Sequence, residues 1–132
     1  MAVDATSAMV FVSTASSVLA YSWRGDSLAK SDKFSAEGLS GSFIVLAVIP
    51  SSTRERGGRR PACLVASAYD SPTLFVYELP SCRRVLKHTL EGMRVVSLTA
   101  EPRGLALAVG DSVSRSIHVL PWPLPSLVLS VK

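Results

Sequence analysis

The sequence predicts an all-β chain built from repeated strand units, and three observations predict it. Short runs rich in Val, Ile, Leu, Phe and Tyr alternate with clusters of Ser, Gly, Pro and Asp along most of the chain. No segment keeps an apolar face at three-and-four spacing through three helical turns, so almost no helix is expected. One pattern of strand, small residues, Asp turn, strand and Pro also occurs twice along the chain. The 132 residues make one domain at most, and 48% hydrophobic residues exclude a wholly disordered chain.

Taken in order, MVFVS at 9–13 and VLAYSW at 18–23 read as strands broken by small hydroxyl residues. Residues 24–42 are polar and carry Gly and Ser, with a weaker strand within 28–34. FIVLAVI at 43–49 is the next strand, stopped by Pro50. PSSTRERGGRRP at 50–61 has no apolar side chain to bury between its end prolines, so a mobile surface insertion is expected there. Strands follow at 64–69, 74–79, 84–90, 95–99, 105–109, 117–120 and 127–131.

The internal repeat pairs LVASAYDSPTLFVYELP at 64–80 with LALAVGDSVSRSIHVLP at 105–121. Asp70 and Asp111 are 41 residues apart. MVFVSTASSVLAYSW at 9–23 is a looser third copy without the Asp. A period near 42 residues with about four short strands per unit is the arithmetic of a propeller blade. Residues 90–120 then resemble one WD-repeat unit. Leu90 and Gly92 stand at the start of the family pattern, with Met93 in place of its His. Val95 and Leu98 follow, then the turn Pro102-Arg103-Gly104, then Leu107-Ala108-Val109-Gly110, Asp111 and the strand at 117–120. The terminal Trp-Asp pair is absent. That pair and the His serve the family in a buried network with the turn Asp, so Asp70 and Asp111 are expected here as turn caps, beside the structural turn residues Pro102 and Gly104.

The resemblance implies a partial β-propeller of about two to three WD-like four-stranded blades. The units are 1–42, a degenerate first blade with strands b and c and a weak third; 43–90, carrying the insertion at 50–61; and 91–132. Since closed rings hold about four to eight blades, the chain is expected to be incomplete as it stands. It is read as the front of a longer protein, or as one completed by another chain.

Chemistry-bearing patterns are few. There is no G-x-S-x-G elbow and no G-x-x-x-x-G-K loop, and neither His88 nor His118 is placed beside a carboxylate by spacing. Cys63 and Cys82, 19 residues apart, lack the spacing of a zinc site and are expected as buried thiols. No catalytic residue, metal site or cofactor is expected. The best binding candidate is the insertion, where Arg54, Arg56, Arg59 and Arg60 surround Gly57-Gly58 and offer guanidinium groups to phosphates of tRNA or another RNA. Lys30, Lys33, Arg83, Arg84 and Lys87 extend that footprint, within a net charge of +4. Against it, no aromatic residue lies among the arginines to stack bases. Trp122, between Pro121 and Pro123, is a partner anchor or, on base rates, a packed turn. No signal peptide is expected, and no apolar run approaches the length of a membrane helix, so a nuclear or cytoplasmic protein is expected.

Within the WD-repeat family the chain is most similar to the non-catalytic subunits of tRNA guanine-7-methyltransferases. They too begin with a short degenerate strand pair (compare 9–23), continue into a charged insertion, and have a strand pair like 64–79. The resemblance implies a scaffold that supports a methyltransferase catalytic subunit and helps hold tRNA. The alternative is a small self-contained all-β domain that binds RNA or a ligand alone.

Overall fold

The computed structural model describes residues 1–5, 8–13, 18–25, 27–30, 43–53 and 59–124. Among them the chain is all-β, with no helix, and its main strands form three antiparallel sheets that do not close on themselves. The first sheet is β1 (Ala2–Asp4), β2 (Met9–Ser13), β3 (Val18–Arg24) and β4 (Ser27–Lys30), in that order. In the second, β5 (Ile44–Ile49) pairs with β8 (Cys63–Ala68), followed by β9 (Thr73–Glu78) and β10 (Arg83–Thr89). Between β5 and β8 the chain forms a two-stranded ribbon, β6 (Ser52–Thr53) and β7 (Arg59–Arg60). The third sheet is β11 (Val95–Ala100), β12 (Ala106–Asp111) and β13 (Ser116–Pro121).

Two features differ from the sequence reading. The first sheet has four strands rather than two and a weak third, because the chain's first residues supply β1. Ala2 pairs with Phe11 and is small enough to lie over that ring's side of the sheet, with Asp4 on the same face and Val3 on the other. The insertion at 50–61 contains a ribbon, not only loop. Thr53 pairs with Arg59 and Ser52 with Arg60, and the Ser51 hydroxyl donates to the Arg60 carbonyl at 2.7 Å. Backbone hydrogen bonds alone suffice for so short a pairing, so no apolar residue marks it. The expected strand at 127–131 lies outside the described residues.

The sheets stack face to face in chain order. Met9, Phe11, Val18 and Ala20 from the first sheet pack against Ile44, Leu64, Ala66, Phe75 and Tyr77 from the second. The second sheet's opposite face, with Val45, Ala47, Ile49, Cys63, Val65, Leu74 and Val76, packs against Val95, Leu107 and Val109 from the third. β8 and β9 are therefore buried on both faces, and their sequences CLVASA and TLFVYE lack the apolar–polar alternation of a half-solvated strand. β13 does alternate in burial, with His118 and Leu120 turned toward the second sheet's side and Ile117 and Val119 away from it.

Trp122 and Leu124 are buried in the second cluster, so the proline-flanked Trp is a packed turn and not an exposed anchor. Its amide donates to the Leu105 carbonyl at 2.9 Å, which fixes the chain as it leaves β13. Cys63 and Cys82 are both buried and not joined by a disulfide.

Candidate interaction rim

Asp70, in the turn after β8, and Asp111, the last residue of β12, lie at the same edge of the stack, and the structure gives them more to do than cap their turns. Asp111 is nearly buried. Its Oδ1 accepts the amides of Arg94 and Val113, both at 3.0 Å, and its Oδ2 accepts the Ser114 amide at 3.3 Å and the Ser114 hydroxyl at 2.7 Å. It thus ties the β12–β13 turn to the entry of β11. These donors, the Arg94 amide foremost and the Ser114 hydroxyl next, hold its carboxyl well below the usual carboxylate range.

Asp70 adopts φ 63°, a left-handed conformation that Asp tolerates better than most residues. Its amide donates to the Val95 carbonyl and the Val95 amide to the Ser71 carbonyl, both at 2.8 Å, so backbone bonds cross from the second sheet to the third. The Ser112 hydroxyl donates to Asp70 Oδ1 at 2.9 Å, and Arg94 Nη1 to the Asp70 carbonyl at 3.0 Å. The two equivalent turns, which sequence alone gave no reason to join, form one cross-sheet junction.

His118 belongs to this junction, although spacing alone placed neither His beside a carboxylate. Ser116 pairs directly with Asp111 across the β12–β13 hairpin. Two residues further along the same face, His118 brings Nε2 to 3.3 Å from Asp111 Oδ2 and 3.1 Å from Ser114 Oγ. Pairing register was the missing signal. Ser, His and Asp together suggest nucleophilic catalysis, yet in a catalytic triad serine and aspartate use opposite ring nitrogens. Here both approach Nε2, so the aspartate does not hold the Nδ1–H while Nε2 takes the serine proton, as a triad requires. The group fixes a turn.

Pro102 and Gly104 form the β11–β12 turn. Gly104 has φ 76°, its amide donates to the Glu101 carbonyl at 2.9 Å, and Glu101 Oε2 accepts the Leu105 amide at 3.0 Å. The Arg103 guanidinium beside Glu101, at 2.9 Å, lowers the Glu101 carboxyl below its ordinary value.

On the rim of the second sheet, beside Asp70, two aromatic side chains that sequence reasoning did not single out are half exposed. Phe43 is 51% and Tyr69 53% exposed, with ring centroids 5.9 Å apart at an interplanar angle of 79°. The Tyr69 amide donates to the Phe43 carbonyl at 2.8 Å. This edge-to-face pair is held by the ends of β5 and β8, and two aromatics at strand ends next to an Asp turn were the available cue. Exposed Val113 sits next to Ser112, on the far side of the same junction.

The described basic residues lie on different elements. Arg54 and Arg56 lie outside the described residues, and Arg59 contributes its backbone to β7. Arg60 is half-buried, and its Nη1 donates to the Trp122 carbonyl at 3.3 Å, holding the ribbon against the end of the third sheet. Arg83, Arg84 and Lys87 are on the edge strand β10; Arg84 and Lys87 lie over the Phe75 ring at 5.4 and 5.9 Å from its centroid. Lys30 ends the edge strand β4, and Lys33 lies outside the described residues. Cations on sheet edges also discourage edge-to-edge pairing.

Among the described residues no three His, Cys, Asp or Glu side chains converge as metal ligands, and no helix is long and apolar enough to cross a membrane. Burial pushes the Cys63 thiol up to about 12, with the Glu78 and Asp4 carboxylates adding to the shift. No protein-family model matches the chain, and no curated protein matches it.

Proposed function

We propose that the chain is a non-enzymatic, WD-repeat-like scaffold whose rim, centred on Phe43 and Tyr69, is the docking surface for a protein partner. The observation that carries this reading is the exposed aromatic pair beside a hydrogen-bonded junction. Aromatic side chains cost water contact when left exposed and are enriched in protein interfaces. A rigid rim lowers the entropy lost when a partner binds. The group around His118 supports the same reading, since its geometry serves a turn.

The narrower proposal follows the family resemblance: the partner is the catalytic subunit of a tRNA guanine-7-methyltransferase, and this chain supports it while the basic residues around 54–60 contact tRNA. The experiment is co-expression with such a catalytic subunit, followed by co-elution and tRNA methylation assays. A stable complex is expected, weakened at least about tenfold by F43A/Y69A, the order of one aromatic hot spot. Absence of co-elution, or a complex indifferent to both aromatics, would remove this partner and this rim. Replacing Arg54, Arg56, Arg59 and Arg60 with Ala is expected to flatten the salt dependence of tRNA binding; an unchanged slope retires the polyanion contact.

A further inference from the structure

Beside the exposed aromatic pair, the rim carries an oriented cation. Arg94 leads into β11 and is pinned at both ends. Its amide donates to Asp111 Oδ1 and its Nη1 to the Asp70 carbonyl, both at 3.0 Å. The residue is exposed, and among the described residues its guanidinium forms no ion pair with a carboxylate. A guanidinium has five N–H donors in a planar fork, so one backbone carbonyl fixes its direction and leaves most of its donors open.

The carbonyl that holds Arg94 belongs to the residue after Tyr69, and the Tyr69 amide donates to the Phe43 carbonyl. Backbone pairing thus sets the cation and the two rings at one place on the rim. Tyr and Arg are the side chains enriched at binding hot spots, and a guanidinium meets a carboxylate with two parallel hydrogen bonds. The surrounding charges select the kind of anion. Asp70 and Glu91, both exposed, stand at this rim with Arg94 and exposed Arg115, and Asp111 beneath them is held ionised. A phosphate backbone would press a row of negative charges against Asp70 and Glu91, at the cost of like-charge contact. A single carboxylate answers Arg94 without that row.

We propose that the rim takes a partner segment in which an Asp or Glu side chain forks onto Arg94 while a neighbouring apolar side chain rests on the Phe43–Tyr69 pair. This inference rests on the reading of the rim as a protein docking surface and adds the chemistry of the segment that docks there. The carboxylate sets orientation and the aromatic pair supplies the apolar contact.

The test is selection from a display library of random short peptides on the full chain and on R94Q, R94E and F43A/Y69A. R94Q keeps a donor for the Asp70 carbonyl and is expected to keep the strand circular dichroism; should it not, R94K, which keeps the charge without the planar fork, takes its place. The native chain is expected to enrich peptides that set Asp or Glu near Leu or an aromatic residue. R94Q is expected to lose the acidic preference, and R94E to exchange it for Lys or Arg. A selected peptide whose acid is replaced by its amide is expected to bind the native chain about tenfold more weakly, the order of one charge-assisted hydrogen bond. Peptides that bind R94Q, or R94K in its place, as well as the native chain overturn the carboxylate at Arg94 and leave the aromatic rim standing. Peptides indifferent to F43A/Y69A, or no enrichment at all, overturn the rim reading and this inference with it. Binding of total tRNA that falls on R94Q, with no peptide selected, would give the rim to a polyanion and overturn the protein segment.

Discussion

The second and third sheets carry the two similar stretches 64–80 and 105–121 and end in different surroundings. β9 and β13 both offer apolar residues on alternate positions, yet β9 is sealed on both faces and β13 on one. The strand sequence sets which residues share a face; the number of neighbouring sheets sets whether that face is dry. Each fully buried Leu, Ile or Val contributes about 1.5–3 kcal/mol relative to exposure, so Ile117 and Val119 withhold a stabilisation that Leu74 and Val76 already supply.

The comparison is broken most directly by truncating one residue on the outward face of each strand. Leu74→Ala is expected to cost about 2–5 kcal/mol, the range for a buried Leu that leaves a cavity. Ile117→Ala, at a position 73% exposed, is expected to stay within about 0.5 kcal/mol. Equal losses in urea unfolding would mean that the third sheet's open face is covered within the monomer.

The two turn aspartates sharpen the same contrast. Asp111→Ala is expected to lower Tm well below Asp70→Ala, because the Asp111 carboxylate serves three amides and a hydroxyl while that of Asp70 serves one hydroxyl. With its folded pKa lowered, Asp111 contributes stability that is present above the ordinary carboxyl value of about 3.9 and lost as pH falls through the folded value. The gap between native and Asp111→Ala chains should therefore narrow below about pH 4; a gap independent of pH in thermal melts would contradict the charge's role.

Gly104→Ala is the third test, with an expected loss of about 1 kcal/mol in chemical denaturation, since φ 76° strains any residue with a Cβ. No loss would show that the turn relaxes freely, as an end sheet's turn could.

The smallest effect concerns Cys63, in the cluster between the second and third sheets. Its raised pKa makes the stability that it contributes fully present below about pH 8.5 and lost as pH rises through about 12. A thiol reagent at neutral pH should label it only on global unfolding. Labelling that outpaces global unfolding would show the third sheet detaching by itself.

Apolar runs set between turn clusters made the main strands legible, because burial writes itself into residue choice wherever a face is covered. β1 is three residues, too short to show a period, and β4, which exposes all four of its residues, was legible only as the weaker strand within 28–34. Turn chemistry made Asp70, Asp111, Pro102 and Gly104 legible as turn residues. What they join was not, since the bonds from Ser112 and Arg94 to Asp70 exist only once two sheets are stacked. His118 beside Asp111 required the hairpin register, and Phe43 with Tyr69 required the β5–β8 pairing.

Each sheet pairs strands drawn from one unbroken stretch of chain, and its packing partners are the sheets before and after it. Stability in such an array is close to a sum of unit terms and neighbour terms. A change within one stretch is then felt by its own sheet and by the sheet on either side, and reaches a sheet two places away only through the one between.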